Sequence, residues 1–205
     1  MEKNIDLVSK LKRIALICQE DEFQLVDKKI TNRKSSGSFY TPFDVANFIC
    51  NKVLDDISYK NPSKLKKIIK DFFLLEPSCG SGIFIFTFLK CLAERGIEEK
   101  DLRKFKVVAV DINNNALDYI KHKLKEEKVN VDIKTYNSDF RDLSISKTKK
   151  IPIIIGNPPF VKGDEKSIHK NVFADFLDAS ISKFKNNGSL CLILPLSICF
   201  SRDYV

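Results

Sequence analysis

The chain has 205 residues, room for one α/β domain with a short extension, and its 43% hydrophobic content can fill a core. No apolar run reaches membrane-spanning length and the N-terminus lacks the apolar stretch of a secretory signal, so a soluble, intracellular protein is expected. The formal net charge of +8 favours polyanionic partners without identifying one. Six cysteines include no CxxC pair and there are only two histidines, so reduced core thiols and no metal site are expected.

Residues 5–30 carry helical spacing, with Leu7, Leu11, Ile14 and Cys18 on one stripe. The polar run TNRKSSGS at 31–38 reads as a loop. Thr41 then suits a helix N-cap, with Pro42 at the first helical position and Asp44 at the third. That helix continues through Val45, Phe48, Ile49 and Val53. From residue 71 short apolar runs alternate with helical stretches. FFLLE at 72–76 predicts a strand and 82–95 a helix; KVVAVD at 106–111 a strand and 114–127 a helix. VDIKTY at 131–136 and IPIIIG at 151–156 predict strands, 168–186 a helix, and SLCLIL at 189–194 a further strand. Strands rich in Val and Ile between helices imply a doubly wound, mostly parallel α/β sheet, with 151–155 in a central place. There is no internal repeat. The expected organisation is a helical extension over 1–35 and an α/β domain over 36–205.

In such a sheet ligands bind beyond the carboxyl ends of the strands. Those ends present Glu76, Asp111, Asp139 and Asn157 in order. One acid at a strand end commonly just solvates a turn; four consecutive polar ends imply a shared site. The first turn, Glu76-Pro77-Ser78-Cys79-Gly80-Ser81-Gly82, has two glycines that let backbone approach a ligand. A dinucleotide fingerprint needs a third glycine where Ile85 stands, so a pyrophosphate-bound dinucleotide is disfavoured. Asp111 can accept from two ribose hydroxyls. Asp139 can accept from an adenine amino group, and Phe140 either offers that ring a flat face or packs in the core.

Asn157-Pro158-Pro159-Phe160 follows directly after the fourth strand. Two prolines make the turn rigid. The Asn157 amide oxygen and the Pro158 carbonyl can each accept a hydrogen from one exocyclic NH₂, which directs the nitrogen lone pair toward an electrophilic methyl group. Phe160 can stack on a base. Such a site works by placement and requires neither metal nor activated nucleophile.

These blocks, with Phe39-Tyr40-Thr41-Pro42 upstream, resemble the N6-adenine DNA methyltransferases of bacterial restriction-modification systems over about residues 36–200. The resemblance implies a Rossmann-like fold that binds S-adenosylmethionine and releases S-adenosylhomocysteine, with double-stranded DNA as partner. It places Tyr40, Thr41 and Pro42 along the methionine end of the cofactor and Glu76, Pro77, Gly80 and Gly82 beneath it. Asp111 falls at the ribose, Ile112 against the adenine ring, and Asp139 and Phe140 around that ring. Asn157, Pro158, Pro159 and Phe160 become the catalytic loop that receives a flipped-out adenine. Phe160 stands where many members have Tyr, and either ring stacks.

The family normally continues past LCLILP into a target-recognition domain, whereas this sequence stops at Val205. The expectation is therefore a fragment, a truncation or one subunit of a split enzyme, completed by a recognition subunit or C-terminal domain. A cofactor-binding subunit inactive without its partner is one alternative. Methyltransferases of release-factor glutamine, RNA amino-methyltransferases and cytosine N4 methyltransferases share a similar loop. The first two usually lack the FYTP block, and the last more often has Ser or Asp in place of Asn157.

Overall fold

The structure, a computed structural model, describes residues 2–25, 41–58, 63–144, 151–184 and 187–200. The predicted loop at 31–38, the end of the first predicted helix at 26–30, the 35/36 boundary and Tyr40 lie outside the described residues.

Five strands, β1 (Phe72–Glu76), β2 (Lys106–Asp111), β3 (Asp132–Asn137), β4 (Ile151–Gly156) and β5 (Ser189–Leu192), form one sheet in the order β3-β2-β1-β4-β5. All four pairings are parallel. The helices are α1 (Glu2–Leu25), α2 (Phe43–Ser58), α3 (Ser63–Asp71), α4 (Ile83–Glu94), α5 (Glu99–Leu102), α6 (Asn114–Glu126) and α7 (Val172–Lys183). This is the doubly wound α/β fold that the alternation of strand and helix signals implies.

Register sorts the strand residues onto two faces. Leu74 pairs with Val107 and Ile153, and all three join a core cluster that also contains Leu11 and Ile14 of α1, Leu54 of α2, Phe84 of α4 and Ile120 of α6. One residue on, Leu75 pairs with Val108 and Ile154 on the opposite face, beneath Phe140, Val172 and Phe176. β1 and β4 are central and buried along their lengths. β3 alternates exposed and half-buried positions, as an edge strand does. α4 has every position from Ile83 to Ala93 buried, because it lies against α1 and α2.

Several expectations shift. α2 begins at Phe43, since its first bond runs from Ala46 N–H to the Pro42 carbonyl (3.0 Å), so Thr41 does not cap it. Instead Gln19 Oε1 of α1 accepts the Phe43 N–H (2.8 Å). Val45 and Phe48 of α2 are exposed, and the buried stripe is Phe43, Ala46, Cys50, Val53 and Leu54. β3 lies one residue later than predicted, and β5 ends at Leu192. α7 starts at Val172, four residues after the predicted start. Asp175 Oδ1 accepts the N–H groups of Ile168 (3.0 Å) and His169 (3.1 Å), which keeps them out of a helical ladder. Residues 161–172 instead form a small antiparallel hairpin, closed by Gly163 N–H to the Lys170 carbonyl (2.8 Å) and Val172 N–H to the Val161 carbonyl (3.0 Å). α3 and α5 were not foreseen.

No helix among the described residues is long and apolar enough to cross a membrane. All six cysteines are free thiols, four of them buried.

Candidate active site

The sheet reverses its winding between β1 and β4, and the turns leaving these strands lie side by side. Gly156 ends β4 so close to β1 that a Cβ on it would meet Pro77 Cδ at 2.9 Å. Ser78 Oγ donates to the Asn157 carbonyl (3.1 Å), tying the glycine turn to the NPPF loop. Asn157 Nδ2 donates to Thr41 Oγ1 (3.1 Å), and Thr41 is only 3% exposed. Three segments far apart in sequence thus meet at Asn157. With Nδ2 committed to Thr41, the carbonyl end of the amide is the end that can accept from a substrate amino group. The Gly156 carbonyl accepts from Ile193 N–H of the segment after β5 (2.9 Å), fixing the loop from its other side. Phe160 packs edge-on against Phe173 with centroids 5.9 Å apart.

The glycine turn is built from backbone. Gly80 (φ 47°) and Gly82 (φ 87°) occupy the left-handed region, which an L side chain enters only with strain. A Cβ on Gly82 would also meet Ile120 Cγ1 at 2.9 Å, so helix α6 and the turn approach closely only because the residue is glycine. Cys79 N–H bonds the Val110 carbonyl (2.9 Å) and Gly80 N–H bonds Asp111 Oδ2 (2.8 Å), locking the turn onto the end of β2. Glu76, at the end of β1, is buried.

Asp111 also accepts Asn113 N–H at Oδ1 (2.8 Å). Burial pushes its carboxyl above the ordinary range, and the backbone N–H donors offset only part of that rise. Asn137 Nδ2 donates to the carbonyls of Asp111 (3.1 Å) and Ile112 (2.9 Å), fixing the peptide that presents Ile112, which is 77% exposed.

Asp139 caps a short 3-10 turn, Phe140–Asp142, by accepting Arg141 N–H (2.9 Å). Its carboxylate also holds the Arg141 guanidinium (2.6 Å). Burial raises the Asp139 carboxyl, but the Arg141 side-chain and backbone bonds together outweigh it and hold the group below its usual range. Phe140 takes the packing alternative. It is 1% exposed, 5.5 Å from the Phe176 ring, with Lys183 Nζ 4.7 Å from its own centroid.

The rim therefore gathers Thr41, Ser78, Asn157, the glycine turn and Asp111. Asp139 follows β3, with both β2 and β1 lying between that strand and β4, which Asn157 follows. Sequence reasoning passed over Ser78, Asn137 and Arg141. The first two lie inside or beside the blocks it used; Arg141 gives no local signal, because its distant partners arrive through the hairpin. Among the described residues no group of three or more His, Cys, Asp or Glu side chains could hold a metal ion.

A buried strand-end site with a glycine turn, an acid beside it and a rigid acceptor loop can hold a small organic ligand and orient an amino group near it. Known proteins agree in class. The methyltransferase small domain family matches residues 78–198, from the glycine turn to the segment after β5. The chain is 25% identical over 149 residues to the type II methyltransferase M.BanIII of Aneurinibacillus aneurinilyticus, covering 67% of this chain and 24% of that protein. It is 25% identical over 196 residues to the type II methyltransferase M.CvrRI of Paramecium bursaria Chlorella virus XZ-6E, covering 90% and 43%. It is 34% identical over 142 residues to the modification methylase CviBIII of Paramecium bursaria Chlorella virus NC1A, covering 65% and 33%. The chain thus spans from about a quarter to under half of the length of these relatives. The family match covers more than half of the chain and takes in both the glycine turn and the NPPF loop: the protein belongs to the methyltransferase small domain family.

Proposed function

We propose that this chain carries the catalytic centre of a DNA methyltransferase that uses S-adenosylmethionine to methylate the exocyclic N6 of a flipped-out adenine, within a restriction-modification system. The observation that supports it most is the Asn157–Thr41 bond, which orients the amide of the NPPF loop from within the upstream FYTP block. The type II methyltransferase and modification methylase names of the relatives favour DNA as the acceptor.

The residues present fit the cofactor. Gly80 and Gly82, both in the left-handed region, present turn backbone without side chains, and Asp111 supplies a carboxylate at the adjoining strand end, held against the Gly80 N–H. Thr41, Pro42, Glu76, Pro77, Gly80 and Gly82 would hold the methionine end, with Tyr40 assigned there from sequence. Asp111 would accept the ribose hydroxyls, and Ile112 and Asp139 would border the adenine with Phe140 packed behind. S-adenosylmethionine, when bound, supplies an electrophilic methyl group. The chain's own residues do the rest. Asn157 Oδ1 and the Pro158 carbonyl accept the two amino hydrogens, Pro159 keeps the loop rigid, and Phe160 stacks on the base.

The test is transfer of labelled methyl groups to adenine-containing duplex DNA. Label is expected at adenine N6, and Asn157→Ala should lower transfer by about 10²–10³-fold, the scale of one lost preorganised electrostatic contact. Cofactor affinity should hold. Label appearing in RNA or protein instead, or at cytosine N4, would overturn the adenine assignment. Retention of most activity by Asn157→Ala would remove that residue from catalysis.

A further inference from the structure

Arg141 lies directly after the cofactor-side pair Asp139-Phe140, and its side chain is 12% exposed. Toward Asp139, its Nε lies 3.1 Å from both carboxylate oxygens and Nη2 lies 2.6 Å from Oδ2. Toward the hairpin, Nη1 and Nη2 donate to Asp164 at 2.9 and 2.7 Å, and Nη1 donates to Ser167 Oγ at 3.0 Å. An oxygen of a third carboxylate, Asp175 Oδ2, lies 3.7 Å from Nη1. Asp175 in turn holds the Ile168 and His169 N–H groups.

One planar cation therefore serves three acids: one after the edge strand β3, one in the hairpin and one in the first turn of α7. The fork geometry matters, because Nε, Nη1 and Nη2 bond two carboxylates at once in fixed directions, which a single ammonium nitrogen does not reproduce. Ser167 Oγ adds a bond to Asp164 N–H (3.0 Å), so the hairpin turn is organised around the residue that Arg141 grips. The hairpin begins one residue after Phe160, and Val161 is bonded to Val172. Its position therefore bears on where the Phe160 ring stands.

We propose that Arg141 is a positioning residue that couples the cofactor end of the rim to the hairpin after the catalytic loop, so that cofactor binding orders the substrate side. The inference rests on the assignment of Asp139 as a cofactor contact. A ligand that hydrogen-bonds Asp139 restricts its carboxylate, which restricts the guanidinium, which holds Asp164 and Ser167. Coupling of this kind is reciprocal: whatever steadies the hairpin also strengthens cofactor binding.

The decisive variant is Asp164→Asn. Its carboxylate is 51% exposed, so the fold should survive, and the Asp139–Arg141 pair remains. Amide hydrogen exchange over 161–172 is measured with and without S-adenosylhomocysteine, beside the affinity for that ligand. In the unaltered chain the ligand should slow hairpin exchange about fivefold or more, the low end of typical coupling. In Asp164→Asn the slowing should vanish while the slowing at residues 77–82 persists. Arg141→Lys, which keeps the charge and loses the fork, should keep only part of the hairpin effect. Equal slowing in the unaltered chain and Asp164→Asn overturns the proposal, as does no hairpin slowing in the unaltered chain. Exchange is read without a methyl acceptor. Intact coupling with no label in DNA would therefore sink the adenine assignment alone, and ligand binding without hairpin slowing would sink the coupling alone.

Discussion

The two faces of the sheet are both apolar but are covered and bordered differently. Leu74, Val107 and Ile153 lie under a thick layer of helices, with α4 buried from Ile83 to Ala93. Leu75, Val108 and Ile154 meet a thinner cover, Phe140, Val172 and Phe176, whose margin is the Arg141 cluster of ion pairs. Apolar burial is strong and non-directional. Ion pairs add little net stability once desolvation is counted, but they fix angles. The first face therefore supplies most of the free energy of folding, and the second sets the orientation of the loop after β4. The site lies where the two meet: Thr41 reaches Asn157 from the helical layer, and the hairpin leaves Phe160 toward the charged one.

The sharpest way to break the first side is at Gly82. Gly82→Ala forces an L residue to φ 87° and sets its Cβ 2.9 Å from Ile120 Cγ1, an atom of a fully buried side chain. Left-handed strain and overpacking together should cost about 2–4 kcal/mol. Gly96 is the control: its φ is 90° but nothing lies within 4 Å of the added Cβ, so only the conformational part remains. Urea denaturation should show Gly82→Ala falling further than Gly96→Ala. Equal losses would mean that α6 yields freely and that the glycine turn is not pinned by packing.

Next in size is Thr41→Val, which keeps the shape and burial of the side chain but removes the acceptor for Asn157 Nδ2. A hydrogen bond of this kind is worth about 1 kcal/mol net, so methyl transfer should fall several-fold to about tenfold. Thr41→Ser should recover most of the rate, and cofactor affinity should fall in Thr41→Val and recover in Thr41→Ser, since Thr41 is also assigned to the methionine end of the cofactor. An unchanged rate in Thr41→Val would show that the Ser78 and Ile193 bonds suffice to hold the loop.

That bond also marks where sequence reasoning reaches its end. β1, β2 and β4 were legible to the residue, because central parallel strands are continuous apolar runs with sharp polar or proline borders. The polar strand ends were legible for the same reason. β3 slipped by one, since an edge strand exposes alternate residues and blurs its own limits. α3 carries Leu65, Ile68 and Ile69 at helical spacing, but four lysines in nine residues hid the stripe. Thr41 read as a cap because cap chemistry is local. Its real partner is 116 residues away, and nothing in either segment encodes that distance. Arg141 is a second case, with Asp164 23 residues away and brought to it only once residues 161–172 have formed their hairpin.

The smallest effect, and the one that separates the regions most cleanly, is acid. Asp164 is held below its usual range, chiefly by its Arg141 side-chain bond against an opposing effect of desolvation, and Asp139 is lowered as described. A carboxylate with a depressed folded-state pKa contributes stability above its unfolded value, near 3.9, and loses it as pH falls through the folded value. Asp111 behaves in the opposite sense. Its folded-state value is raised by burial, so it takes up a proton at a higher pH than an ordinary Asp, and ionising it opposes folding. On acidification the order of events is therefore fixed. Cofactor affinity should weaken severalfold first, as Asp111 loses the charge that accepts hydroxyl hydrogens. Amide protection over 161–172 should fail only below that, as Asp139 and Asp164 protonate and release Arg141. Protection of β1 and β4 should outlast both, because Leu74, Leu75, Ile153 and Ile154 carry nothing to titrate. Hydrogen exchange and cofactor titration over one pH series read all three. If the hairpin loosened before cofactor affinity changed, the Arg141 cluster would not be what holds it.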